Sequence, residues 1–245
     1  MMHKKIRIAK LLANYNQGSR RRIEELIKNN KVIVNKHTIN SPVTFVNTDD
    51  EIFVNNRKVK FEKKLKVFKF YKPKNIICSK AKQDNKDIIY DIIPKKFKNF
   101  IFAGRLDYNS EGLMILTNSS KITRTLELPK NKFPRTYQVR VYGDCNLKNI
   151  KEKSKGSIIN GKKYLPFRFV LNSKIKKNTN LEITLFEGKK NEIKEIFKSI
   201  KLQVNKLKRV KYGPFCLNRM KPFDIKEITN SEFKEYENYI RKQKG

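Results

Sequence analysis

Cysteine and histidine are scarce in this chain of 245 residues, with three of the first and two of the second. Cys78, Cys145 and Cys216 lie too far apart for a zinc cluster or a disulfide framework, so they read as small reduced thiols. His3 and His37 alone supply neither a histidine metal site nor a Ser-His-Asp triad, and no metal is expected. No apolar run approaches the ~20 residues of a spanning helix. Met1 to Leu12 alternates basic and apolar residues and has no secretory apolar core. A cytoplasmic protein without a membrane partner is the expectation. Acidic residues are also few: 23 against 58 basic ones, a net charge of +35. That far exceeds what solubility needs, and such a field attracts polyanions and releases their counterions. Nucleic acid is the natural partner. Because the excess is mostly lysine in an Asn- and Ile-rich chain, a merely basic protein is the competing reading.

The length admits a small domain plus a medium one, and 38% apolar residues fill their cores. Ile8, Leu11 and Leu12 have helical spacing. Gly18-Ser19 breaks the chain, with Ser19 a suitable N-cap, and Ile23, Leu26 and Ile27 mark a second amphipathic helix ended by Asn29-Asn30. Short β-rich pieces follow at Val32–Val34, Val43–Val46 and Ile52–Val54. Glu62 to Lys66 is a charged connector. Beyond it, strands are predicted at Val67–Tyr71, Leu113–Thr117, Thr136–Tyr142, Phe167–Leu171, Leu181–Phe186 and Leu207–Tyr212, and helices at Lys121–Leu128 and Asn191–Ile200. Strands outnumber helices without alternating with them. The fold class is therefore α+β: a helix pair with a small sheet over 5–61, then a mixed, largely antiparallel sheet with flanking helices over 66–230. Residues 231–245 read as a basic helical tail.

Arg20-Arg21-Arg22 stands at the start of the second helix, where the helix dipole disfavours positive charge. A phosphate docked on that terminus and the arginines would reverse the balance. Lys10, Lys28, Lys31 and Lys36 extend the patch. Three solvated arginines are the alternative. The run Arg7 to Leu12, then Gly18-Ser19-Arg20-Arg21, then Val32-Ile33-Val34-Asn35, resembles the S-four RNA-binding domain. That resemblance implies recognition of RNA shape through phosphates by Lys10, Arg20, Arg21 and Arg22. It fixes no activity.

Ala103 to Leu113 is the most informative segment: a carboxylate, Asp107, just after Arg105 and before the turn closed by Gly112, with the apolar strand Leu113–Thr117 behind it. Such a carboxylate suits a nucleophile or general base, kept ionised by a neighbouring cation. From spacing alone an Asx-turn with a surface ion pair fits as well.

Gly104-Arg105-Leu106-Asp107 followed by Glu111-Gly112-Leu113 resembles the catalytic loop of the pseudouridine synthase family that modifies single uridines in ribosomal RNA. Arg135-Thr136-Tyr137-Gln138-Val139 is similar to the family's second block, Leu185 to Lys194 to its third, and Lys206 to Pro214 to its final strand. The resemblance implies Asp107 as catalytic carboxylate, Tyr137 against the target base and Lys194 as the cation paired with Asp107, with Arg105 on the RNA. It also implies base flipping, no cofactor, and a single chain acting on ribosomal RNA. Two departures stand out. Asn191, Glu192 and Lys194 occupy places where the family usually carries a Gln and two arginines, and Asn75 replaces a frequent glycine. Lysine supplies charge without a bidentate fork. Lys194 borders the stripe Ile193, Ile196, Phe197 and Ile200, which suits an ion pair with Asp107; a solvated lysine is the alternative. Tyr137 alternates with Val139 and Val141, so it also reads as core. Gly18 to Arg21 and Arg135 to Tyr137 look closer to members acting on large-subunit 23S rRNA. The rival classes are a non-catalytic RNA-binding or ribosome-assembly protein, and a glycosidase-like enzyme, which needs a second carboxylate.

Overall fold

The computed structural model describes residues 5–15, 17–61, 65–82 and 85–243. His3 and residues 62–64 of the expected connector lie outside them. The chain divides into two compact units, the first holding residues 1–66, 95–101 and 117–121 and the second 67–94, 102–116 and 122–245.

The first unit opens with β1 (Ile6–Arg7), α1 (Ile8–Asn14) and α2 (Arg20–Lys28). Ser19 caps α2, its side chain accepting from the Arg22 backbone N–H at 3.2 Å. Then come β2 (Val32–Val34), β3 (His37–Thr38), β4 (Phe45–Val46), β5 (Ile52–Val54) and β6 (Arg57–Lys58). The strand order is β3-β2-β5-β6, with β1 paired to β4. Ile8, Leu12, Ile23, Ile27, Val32 and Ile52 are fully buried together, so both helices lay their apolar stripes on this sheet. The strand expected over Val43–Val46 shortens to β4, because Thr44 N–H bonds back to Ser41 in a turn.

The second unit is built on a sheet of nine strands among the described residues. β7 (Val67–Lys72), β8 (Ile101–Ala103), β9 (Glu111–Thr117), β10 (Arg135–Tyr142), β13 (Arg168–Ile175), β14 (Asn178–Leu185), β15 (Gln203–Tyr212), β16 (Phe215–Cys216) and β17 (Ile225–Glu227) form one sheet. Its order is β13-β14-β10-β15-β9-β7-β17, with β16 on β15 and β8 on β9. The β13–β14, β14–β10, β10–β15, β15–β16 and β7–β17 pairs are antiparallel, while β15 runs parallel to β9. The expected α+β class with a largely antiparallel sheet is what forms.

Helices α3 (Ile89–Ile92), α4 (Ser120–Glu127), α5 (Leu147–Ser154), α6 (Glu192–Ser199) and α7 (Asn230–Lys242) accompany the sheet, with a hairpin β11 (Ser157–Ile159) and β12 (Lys162–Tyr164). α5 escaped the sequence reading because only Ile150 of it is buried, too little for a periodic stripe. α7 is anchored to the second unit. A complete capping box on Thr229 starts it, Tyr236 is buried against Phe133 and Phe215, and Glu232 pairs with Lys69 at 2.6 Å.

Candidate active site

Two strands that touch closely set the site's frame. Gly112 on β9 lies so near β15 that a Cβ there would sit 2.3 Å from the Arg209 carbonyl oxygen, and its φ is +114°. Only glycine satisfies both conditions. The contact pins the loop 104–110, which leads into β9, beside β15.

Lys72 holds that loop from below. Its side chain is fully buried, and Nζ donates to the carbonyl oxygens of Pro73 and Ser110, each at 2.9 Å, with those of Asp107 and Tyr108 at 3.3 and 3.5 Å. A lysine is almost never buried this way without partners. Burial lowers its pKa to about 8. Three further bonds fix the loop: Leu106 N–H to Cys78 Sγ at 3.4 Å, Gly104 N–H to Glu127 Oε1 at 2.6 Å, and Asn75 N–H to the Tyr108 carbonyl at 2.8 Å. Asn75 has φ +59°, so asparagine takes the left-handed turn well.

The loop presents the Asp107 carboxylate to α6, where Lys194 Nζ meets Oδ2 at 3.3 Å. The two side chains are 34% and 33% exposed, so water screens the pair and it is worth at most about 1 kcal/mol in stability.

Asp107 and Tyr137 line one cavity of about 630 Å³, with Arg105 at its mouth and Leu185, Ile193 and Leu207 on its apolar walls. Tyr137 comes from the buried face of β10, opposite Arg209 on β15. Arg209 is buried; its Nε donates to the Leu113 carbonyl at 2.7 Å and its guanidinium stacks over Tyr212. Ser110 Oγ and Arg209 Nη2 are buried polar atoms in residues lining this cavity, without a protein partner among the described residues.

Two acids stand on the same wall. Glu187 accepts from Leu165 N–H at 2.6 Å and pairs with Lys189 at 2.9 Å, while Glu192 accepts from Lys189 N–H at 3.0 Å. Burial, then the neighbouring Glu187, push the Glu192 pKa up to about 8. A neutral Glu192 avoids placing a second buried charge beside Glu187.

The structure thus brings Asp107, Tyr137 and Arg105 to one cavity and Lys194 to Asp107. Lys10, Arg20, Arg21 and Arg22 are exposed on the first unit, where Arg22 also pairs with Glu25 at 2.8 Å. Sequence reasoning gave Lys72, Arg209 and Cys78 no place at the site and named Glu192 only as a departure from the family's third block. One signal was present for Lys72: strand alternation puts it on the same face as Phe68 and Phe70, an apolar position for an ammonium. Among the described residues no group of acidic, histidine or cysteine side chains is arranged for a metal, and no helix is long and apolar enough to cross a membrane.

The site is thus a loop carboxylate, Asp107, in a cavity lined by Tyr137 and by the further acids Glu127, Glu187 and Glu192. Residues 66–199 match the family of RNA pseudouridylate synthases and residues 6–52 the S4 domain. The chain belongs to the RNA pseudouridylate synthase family and is an RNA-modifying isomerase.

Among its relatives, an uncharacterised RNA pseudouridine synthase of Rickettsia typhi is 39% identical over 94% of both chains. The ribosomal large subunit pseudouridine synthase B of Buchnera aphidicola subsp. Schizaphis graminum is 34% identical over 90% of this chain and 87% of its own, and that of Bacillus subtilis 30% over 93% and 94%. A solved pseudouridylate synthase shares the fold with a TM-score of 0.67 at 22% identity, covering 94% of this chain and 99% of that one.

Proposed function

We propose that this protein isomerises one uridine of large-subunit ribosomal RNA to pseudouridine, with Asp107 as the catalytic carboxylate. The observation that carries the reading is the charged Asp107–Lys194 pair at the edge of a cavity whose wall is Tyr137. The uridine leaves its stack and enters the cavity, where Tyr137 packs on the extruded base. Asp107 acts as nucleophile or base while the N1–C1′ bond breaks. The uracil turns within the cavity, C5 bonds to C1′, the C5 proton leaves, and N1 takes up a proton. Atoms balance without a cofactor. Lys194 supplies the positive charge beside Asp107, and Arg105 meets RNA at the mouth.

Lys10, Arg20, Arg21 and Arg22 hold phosphates on an RNA-binding domain over 5–61; residues 66–230 carry the chemistry. The protein works as a monomer in the cytoplasm. Relatives named for the large ribosomal subunit support that choice of RNA. No observation favours a non-catalytic binder, which has no use for a carboxylate in a basic cleft. The test is to incubate ribosomal RNA from a strain lacking this gene with the protein and map pseudouridines. One new pseudouridine in the large-subunit RNA is expected; an abasic site would indicate a glycosidase, and unchanged RNA a binder.

A further inference from the structure

A second cavity, of about 450 Å³, lies against the first, and Leu207 lines both. Lys194, which holds Asp107, lines the second. Its size falls within the roughly 300–1,000 Å³ of ligand sites. Its wall has a distinct chemistry: the carboxamides of Asn75, Asn109 and Asn205, the ammonium of Lys74, and an apolar floor of Val204 and Leu207. Among the described residues no carboxylate lines it. None of these three carboxamides bonds to another protein group among the described residues.

Asn205 reaches this wall through an irregularity in the sheet. In the β10–β15 ladder Arg140 faces Lys206 and Val141 faces Val204, so Asn205 is the extra, unpaired residue of a β-bulge. Bulges beside active sites re-aim a side chain that regular pleating would send elsewhere. A carboxamide carries a donor and an acceptor side by side, the combination that pairs with the edge of an unstacked base. Lysine takes a phosphate as a point charge. An apolar floor accepts the face of a base.

We propose that this second cavity binds the nucleotide next to the target uridine on the same RNA strand. Asn205, with Asn75 and Asn109, reads its base edge, and Lys74 holds its phosphate. The inference rests on the proposed function, since Asp107 and Lys194 then fix where the target uridine sits. The enzyme chooses its uridine partly by the base beside it.

The experiment uses the full-length protein and a transcript spanning the uridine modified in ribosomal RNA from the gene-deleted strain. Each nucleotide flanking that uridine is changed to the other three bases, and kcat/KM for pseudouridine formation is measured with wild type, Asn205→Ala and Lys74→Met. The wild type should discriminate among bases at one flanking position by roughly tenfold, the scale of a single bidentate amide–base pair. Asn205→Ala should reduce that discrimination to about twofold or less while retaining turnover on the least favoured base, since the same amide–base pair is then missing. Lys74→Met should raise KM for all four bases alike, as removing a charge that holds a phosphate does. Indifference of the wild type to both neighbours, or the same preference in Asn205→Ala, overturns the inference and leaves the proposed function standing. Absence of pseudouridine with wild type overturns both.

Discussion

Lys72 Nζ donates to the carbonyl oxygen of Ser110 at 2.9 Å, joining the end of β7 to the far side of the loop that carries Asp107. The ammonium is buried, so it stands in for the water that these carbonyls would otherwise need. Its hydrogen bonds reach the site through backbone, so it is a positioning residue, and its charge also acts on the Asp107 carboxylate. Lys72→Met keeps the apolar stem and removes the donors. Each carbonyl left without a partner costs about 1–3 kcal/mol, so the melting temperature should fall. Turnover should fall by roughly a hundredfold, the scale expected when a reacting group is misplaced, with RNA affinity held within a few fold. Equal turnover in Lys72→Met and wild type at a temperature where both are folded would show that the cradle does not set the Asp107 geometry.

Glu192 gives a pH signature. Its pKa rises from 4.5 to about 8 in the fold, so between those values the folded state binds more protons than the unfolded one. Stability contributed by the neutral acid is therefore full below about 4.5 and is lost as pH climbs through about 8. Glu192→Gln, which installs the amide that the resemblance leads one to expect here, fixes the neutral form. Its melting temperature should exceed that of wild type at pH 8, by roughly 2–4 °C per kcal/mol relieved, and the gap should close towards pH 5. A gap independent of pH would mean that Glu192 is ionised throughout.

How much of this was readable beforehand follows from the range of the interactions. Ser19 as a cap and Ile23, Leu26 and Ile27 as a buried stripe are local features, and α2 forms where they place it. Asp107 and Lys194 are separated by 87 residues, and spacing alone left Asp107 the alternative of an Asx-turn with a surface ion pair and Lys194 that of a solvated lysine. The match of several blocks in order joined them. The remaining site residues depend on partners that no local pattern names. Lys72 is explained by carbonyls 35 to 38 positions away, and Arg209 by one 96 positions away. Glu192 is distinctive only because Glu187 and Lys189 fold against it. The bulge at Asn205 likewise exists only in the pairing of β15 with β10.

Arg20, Arg21 and Arg22 are exposed on the first turn of α2, so their replacement should leave both units folded. Changing all three to Gln should weaken RNA binding and flatten its salt dependence by roughly 0.7–0.9 in slope for each phosphate no longer neutralised. Titrations of ribosomal RNA across several salt concentrations give that slope directly. An unaltered slope means these arginines are solvated and the phosphates are held elsewhere.

The central claim concerns Asp107, and Asp107→Asn tests it most directly, because the amide is nearly isosteric and can serve neither as nucleophile nor as base. Ribosomal RNA from the gene-deleted strain is incubated with wild type and with the variant, and pseudouridine at the modified site is quantified alongside RNA affinity. Wild type should convert the site fully. Asp107→Asn should convert none of it while binding RNA within a few fold of wild type. Conversion by Asp107→Asn at a near-normal rate would contradict the account.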